Sequence, residues 1–273
     1  MPEGPEMYRV AQRIEDAVGD APLGEVRFAF EELQPWSDHL EGRRLARART
    51  LGKALLLEFD DGTTIYTHNQ LYGRWMFSKP DRRPDTNRQL RLALSTSKRS
   101  ALLYSASEID VLAPGEVDEH PFIRRAGLDI LSSGADAGDV AGWIGQSRFR
   151  RRALGRLLLD QSFLAGAGNY LRSEILFRAG LRHTARLADL DEQAVHRLAG
   201  AAVALMWRSV ETGGVTNDPD RAERLKRAGW KRRDYRHYVF GRGGQACFEC
   251  DGRIEKTTFD NRRLYFCPAC QPD

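Results

Sequence analysis

Between Pro5 and Val18 the apolar side chains fall at Met7, Val10, Ala11, Ile14, Ala17 and Val18, the spacing that lines one face of a helix. Pro5 suits the first turn of that helix, where a missing N–H costs nothing. From there to about Pro114 the period changes to two. Val26, Phe28 and Phe30 fall at every second position, as do Leu55, Leu57 and Phe59, then Leu90, Leu92 and Leu94, then Leu102 and Tyr104. Breaks at Asp60-Asp61-Gly62 and Ser97-Lys98-Arg99 predict antiparallel hairpins, and the whole stretch predicts a two-layer sandwich.

The stretch from Ser132 to Asp139 reads as a linker. Past Gly142 the helical period returns, with Leu154, Leu157, Leu158 and Leu159 ahead of a glycine-rich turn, Phe163-Leu-Ala-Gly-Ala-Gly-Asn169. Leu171, Ile175 and Leu176 follow it. Asp189 to Val210 predicts a further helix and Thr212 to Pro219 a polar loop. The expected fold class is α+β: an N-terminal antiparallel β-sandwich with one N-terminal helix over 1–125, a helical domain over 126–235 and a small module over 236–273.

That small module holds all four cysteines, spaced Cys247-x2-Cys250-x16-Cys267-x2-Cys270. Two C-x2-C knuckles present four thiolates to one ion, which predicts a structural zinc ribbon with no open ligand position. Two disulfides or a redox pair are the competing readings: the first fits poorly with an N-terminus without the signal-peptide pattern and a chain without an apolar run of membrane-spanning length, and the second because two such pairs arranged as a ribbon need the metal to fold. The expectation is a soluble protein of a reducing cytoplasm.

Charge adds a partner. The net charge of +4 is modest, but residues 221–273 carry 13 lysines and arginines against 7 acidic residues. A second basic run, Arg148-Phe-Arg-Arg-Arg152 with Arg156 nearby, opens the second half. Basic clusters around a zinc ribbon suit a phosphate backbone, although charge alone describes a solvated face equally well.

The chain starts Met1-Pro2-Glu3-Gly4-Pro5-Glu6. Removal of Met1, common ahead of a small residue, leaves a secondary α-amine, which is partly unprotonated near neutral pH. Condensed with a sugar aldehyde, a secondary amine gives an iminium ion that cannot lose a proton to become neutral, and its charge drives elimination. Glu3 stands beside it to shuttle protons, and Glu6 sits in the first helical turn. By itself a Met-Pro start carries little information.

Taken together, Pro2-Glu-Gly-Pro-Glu6, Gly52-Lys53, His68-Asn-Gln-Leu-Tyr-Gly73, Gly166-Ala-Gly-Asn-Tyr170 and the four-cysteine ribbon closely resemble the bacterial formamidopyrimidine-DNA glycosylase and endonuclease VIII family, essentially end to end. The first and third segments resemble its endonuclease VIII branch, since the sister branch typically starts Pro-Glu-Leu-Pro-Glu. The resemblance implies a β-sandwich carrying the proline, a helix-two-turn-helix motif and a zinc ribbon, acting as a monomer on double-stranded DNA that contains oxidised bases or abasic sites, with no membrane partner. It implies Pro2 as Schiff-base nucleophile, Glu3 as acid/base, Lys53 as a lysine at the lesion phosphate, and Asn169 as a phosphate contact. Gln70, Leu71 and Tyr72 would fill the gap left by an extruded nucleotide. Arg125 would touch DNA, with Arg124 adjacent. Arg262 would be the arginine at the hairpin tip of the ribbon, and Arg263 competes with it. The zinc would be structural. Excision of oxidised pyrimidines followed by β,δ-elimination is the implied reaction. The alternatives are the same chemistry on oxidised purines, or a damage-binding protein without catalysis.

Overall fold

The computed structural model describes residues 2–272, so Met1, whose removal would free the proline, lies outside the described residues. The chain divides into two units. The first holds Pro2 and residues 7–125, and the second holds residues 3–6 and 126–272.

In the first unit, α1 (Gly4–Val18) is followed by β1 (Glu25–Phe28), a short α2 (Pro35–Leu40), β2 (Leu45–Leu51), β3 (Ala54–Phe59), β4 (Thr64–His68), β5 (Arg74–Ser78), β6 (Leu90–Ser95), β7 (Ser100–Tyr104), β8 (Glu108–Leu112) and a short α3 (Pro121–Arg125). Two four-stranded antiparallel sheets result, ordered β1-β6-β7-β5 and β2-β3-β4-β8. The expected apolar face of α1 packs into the core with Leu55, Leu57 and Phe59 of one sheet and Leu92, Leu94 and Leu103 of the other. Burying each such side chain is worth about 1.5–3 kcal/mol.

The strand reading needs one correction. Leu90 does not share a face with Leu92 and Leu94, because the pairing with β7 shifts between Leu90 and Leu92. One extra residue in a strand reverses the side-chain alternation. Leu90 therefore packs on the opposite face with Ala93, Leu102 and Tyr104. Both outer faces are covered in part: Ala54, Leu56 and Tyr66 are buried against Phe122 and Ile123 of α3.

The second unit contains α4 (Ile130–Ser133), α5 (Ala137–Ile144), α6 (Leu154–Leu157), α7 (Asn169–Ala179), α8 (Glu192–Thr212), α9 (Pro219–Arg227), α10 (Arg232–Tyr235), and a hairpin of β9 (Glu255–Phe259) and β10 (Arg262–Phe266). The expected linker at 132–139 is instead two helix ends placed back to back. Gly134 closes α4 at φ 69°, and Asp136 caps α5 in a reciprocal box with Asp139. Asp, Ser and Gly are capping residues as well as loop residues, and composition alone does not separate the two uses. Leu159 likewise falls outside α6, which stops after four residues. Among the described residues no helix is long and apolar enough to cross a membrane.

Candidate active site

Residues 3–6 pack within the second unit. Gly4 N–H donates to Gly166 O at 2.8 Å. The Glu3 carboxylate is 5% exposed and accepts from the backbone N–H groups of Tyr170 (2.9 Å) and Leu171 (3.3 Å) in the first turn of α7. A helix start offers unpaired N–H groups and the positive end of the helix dipole, so it suits a carboxylate. The close approach requires the glycines of the two motifs. A Cβ on Gly168 would lie 2.4 Å from Glu3 Cδ, and one on Gly4 would lie 2.9 Å from Gly166 Cα. Glu6 folds back to accept from Glu3 N–H at 2.9 Å and takes the Tyr170 hydroxyl at 3.1 Å. That hydroxyl also lies 2.9 Å from Ser209 Oγ. Pro2, immediately ahead of this anchored segment, is half-buried.

In the first unit, Lys53 occupies the β2–β3 turn behind Gly52, whose φ is 62°. Across the sheet His68 pairs with Ala54. Burial pushes the His68 imidazole below its ordinary value, Glu108 pulls it back and the Lys53 ammonium lowers it further. The next five residues form a protruding loop. Gly73 N–H donates to Asn69 O at 2.7 Å, and a Cβ on Gly73 would come within 2.6 Å of Asn69, so the turn is closed by glycine. Gln70 sits at φ 46° with its amide donating to Glu108 (2.9 Å) and accepting from Ser107 (3.0 Å). Leu71 and Tyr72 point outward, 60% and 71% exposed. An apolar and an aromatic side chain thus stand exposed at the tip of a glycine-closed loop. Arg125 ends α3, exposed, with its Nε donating to Pro121 O.

In the second unit, Asn169 and Arg172 of α7 hold the β9–β10 hairpin. Asn169 Nδ2 donates to Arg263 O at 2.8 Å and its Oδ1 accepts from Arg172 at 2.8 Å. Arg172 is fully buried and reaches Gly155 O (3.1 Å) and Arg263 O (3.2 Å) as well. Burial lowers its pKa to about 10, so it remains a cation. The hairpin turns through Asp260 and Asn261, both at positive φ, and Arg156 pairs with Asp260 at 2.9 Å. Arg262 and Arg263 follow, both exposed.

The four cysteines converge with all sulfurs within 4.8 Å of one another and none in a disulfide. The Cys247–Cys270 and Cys250–Cys267 separations are 3.9 and 3.4 Å. A tetrahedron of thiolates at the usual zinc–sulfur length has edges of about 3.8 Å. Asp251, at φ 57°, turns the first knuckle, and Glu249 N–H donates to Cys247 Sγ. The donor set therefore fits a metal ion.

Residues 1–107 match the formamidopyrimidine-DNA glycosylase N-terminal domain, and 134–219 match the formamidopyrimidine-DNA glycosylase H2TH domain. Endonuclease 8 of Klebsiella pneumoniae subsp. pneumoniae is 43% identical over 271 residues, covering 99% of this chain and all of that protein. The chain belongs to the formamidopyrimidine-DNA glycosylase family. It is thereby a DNA glycosylase of the class that also cleaves strands at abasic sites. Endonuclease 8 of Salmonella enteritidis PT4 is 42% identical over the same length. The fold of this glycosylase matches Lactococcus lactis formamidopyrimidine-DNA glycosylase in complex with DNA containing an oxidised pyrimidine, with a TM-score of 0.81 at 18% identity and full coverage of both chains. The same enzyme bound non-covalently to abasic-site DNA gives 0.78 at 17%, covering 99% of this chain and all of that one.

Sequence reasoning placed Glu3 and Asn169 separately, and the structure brings both to the start of α7. It missed Arg172 and Glu174, and the contact of Glu6 with Tyr170. Arg172 and Glu174 interrupt the apolar pattern of α7, which in sequence alone reads as a wet face.

Two outcomes follow for this glycosylase. Gly168 has an extended backbone that alanine can adopt, so Gly168→Ala acts only by displacing Glu3. A loss of about 2–4 kcal/mol in urea unfolding is expected, and an unchanged midpoint contradicts the packing. The second concerns pH. His68 and His237 are both held below 6.5 by burial, so they are neutral when folded and gain protons on unfolding. The unfolded chain then binds more protons as pH falls below 6.5, and stability falls with it. Calorimetry should show at least about 1 kcal/mol lost between pH 7 and 5.5, a window above that of the depressed carboxylates Glu25, Asp61 and Asp160. A flat profile there would refute it.

Proposed function

We propose that this chain excises oxidised pyrimidines from duplex DNA and then cleaves the strand by β- and δ-elimination through its N-terminal proline. The observation that carries the reading is the fixing of residues 3–6, with Glu3 on the α7 amides directly after Pro2. A nucleophile and its acid/base partner need a defined geometry, and a buried, doubly hydrogen-bonded carboxylate next in sequence supplies one.

The Pro2 amine attacks C1′ of the extruded nucleotide and loses its proton as the damaged base departs, assisted by proton transfer involving Glu3. The sugar ring then opens, the C1′–O4′ bond breaking as O4′ takes up a proton, to give an iminium ion that acidifies C2′, and loss of the C2′ proton breaks the C3′–O bond. A second elimination breaks the C5′–O bond and leaves phosphates on both sides of a one-nucleotide gap. Lys53 and Arg262 neutralise phosphates flanking the lesion, Asn169 and Arg125 contact the backbone, and Gln70, Leu71 and Tyr72 occupy the vacated stack. Zinc on Cys247, Cys250, Cys267 and Cys270 folds the ribbon and takes no chemical role. The preference for pyrimidines is supported by 42–43% identity to proteins named Endonuclease 8 along the whole chain.

Borohydride trapping on a duplex with one 5-hydroxyuracil, with peptide mapping, tests this. An adduct on the proline, absent when the amine is acetylated, is expected. An adduct only on an 8-oxoguanine duplex moves the chain to the oxidised-purine specificity, and tight binding without any adduct makes it a damage-binding protein. For the metal, native mass spectrometry should find one zinc per chain. Cys250→Ser should lose it together with on the order of a hundredfold in strand cleavage, through the unanchored Arg262; full cleavage by a zinc-free chain would remove the ribbon from the mechanism.

A further inference from the structure

Side chains from β8 and from the β5–β6 connection hold the loop that carries Leu71 and Tyr72, one set on each leg. On the incoming leg, Gln70 follows the buried Asn69 and sits at φ 46°, in the left-handed region that a residue with a Cβ occupies only where its surroundings compel it. Both ends of its carboxamide are engaged. Nε2 donates to Glu108 Oε2 at 2.9 Å, and Oε1 accepts from the Ser107 hydroxyl at 3.0 Å. Glu108 opens β8 opposite His68 of β4, so the sheet register fixes its backbone. The Tyr66 hydroxyl donates to Oε1 at 3.4 Å and leaves Oε2 to Gln70 and to His68 Nδ1, which lies 3.4 Å away. On the outgoing leg, the Arg88 guanidinium donates to Tyr72 O at 2.6 Å.

The turn itself is closed by Gly73 N–H on Asn69 O, so these side-chain contacts act on a turn already formed. What they restrict is the direction of its tip. A loop that is loose in the free protein surrenders conformational freedom when it enters a duplex, and that ordering subtracts from affinity; a loop ordered in advance has no such loss. Gln70 spends its amide on the contacts with Ser107 and Glu108, so it can enter only by giving up both hydrogen bonds. Leu71 and Tyr72 stand exposed between the two braced legs.

We infer that Ser107, Glu108 and Arg88 are positioning residues for strand insertion: they brace the two legs of the 69–73 loop so that Leu71 and Tyr72 enter the vacated stack as a wedge of fixed shape, with Gln70 as its strut. The inference rests on the reading, proposed above, of this loop as the segment that enters DNA. Glu108 is the discriminating member. An anion beside a nucleic acid repels phosphate, so its removal strengthens binding on Coulombic grounds alone. A carboxylate placed here favours binding only through what it holds, and a loss of affinity on removing it is a loss of positioning.

The test is fluorescence anisotropy of the zinc-loaded full chain on two labelled duplexes, one intact and one with a single tetrahydrofuran abasic-site analogue, which leaves a vacated stack without a reactive C1′. The ratio of the two affinities cancels the charge that any variant removes. Glu108→Ala and Arg88→Ala should each lower that ratio about tenfold, and Ser107→Ala about threefold. Glu108→Gln and Arg88→Lys keep an acceptor and a donor, and should stay within about threefold of wild type. In a Leu71→Ala/Tyr72→Ala background, Glu108→Ala and Arg88→Ala should change the ratio by less than about twofold, because a brace without a tip has nothing to aim. An unaltered ratio in the single variants overturns the inference, and so do losses that persist in that background, which mark the contacts as structural only. Ser107→Ala leaves the Tyr66 and His68 contacts of Glu108 in place, so it reads the Gln70 brace even where Glu108→Ala disturbs the strand. Borohydride trapping of the wild type on an abasic duplex separates the two levels. A wild type that traps and prefers the tetrahydrofuran duplex, with variants that match it, sinks the inference alone, whereas one that neither traps nor prefers that duplex sinks the proposed function with it.

Discussion

Helix α7 carries three consecutive polar residues, Arg172, Ser173 and Glu174, at positions where none is exposed. Each satisfies backbone groups of other segments. Arg172 gathers carbonyls from Gly155 and the β9–β10 turn, Ser173 accepts from Tyr265 N–H at 3.3 Å, and Glu174 collects the successive amides of 238–240. The helix start adds Glu3 as a fourth client. Leaving any one buried backbone group unpaired costs about 1–3 kcal/mol, comparable with a large share of a domain's net stability. The ribbon hairpin, the loop ahead of the ribbon and residues 3–6 thus depend on one buried helix. A buried cation and a buried anion are tolerable here because each is surrounded by complementary backbone dipoles.

This arrangement explains what was legible in the chain. The face of α1 and the alternation in β1 and β3 were readable, since those elements bury leucine and phenylalanine on regular periods, whereas the bulge that turns Leu90 of β6 to the other face was not. β4 was not, because Thr64 and Thr67 are buried in a strand paired on both sides, where covered polar residues break the expected alternation. The four cysteines were legible from spacing, because a metal imposes its own geometry. Arg172 and Glu174 were invisible for the opposite reason. A charged residue inside a helical pattern ordinarily marks the wet face, and only the surroundings of α7, buried on every side, reverse that meaning.

The glycines of the two motifs teach a similar lesson. Gly168 reads as part of a glycine-rich turn, yet neither it nor Gly4 is held in the left-handed region. They are there because two backbones and a carboxylate approach more closely than any Cβ permits. The polar loop tip works the other way: Gly73 closes a tight turn so that Leu71 and Tyr72 stay exposed at a cost in apolar hydration of about 25 cal/mol per Å². Exposure of two large side chains on a turn closed by Gly73 carries a hydration cost that folding alone does not explain.

The ribbon shows how a small module without a core of its own can aim a side chain. The cluster of four cysteines closes one end, Arg156 fixes the turn through Asp260, and Asn169 with Arg172 grips the backbone at Arg263. Successive residues of a strand point to opposite faces, so Arg262 and Arg263 stand on opposite faces of the hairpin. Both side chains are exposed, and the grip falls on the carbonyl of the second, which fixes the backbone orientation of both. The face that each arginine presents is therefore set by the β9–β10 register rather than by side-chain reach, and a shift of one residue would exchange the two faces.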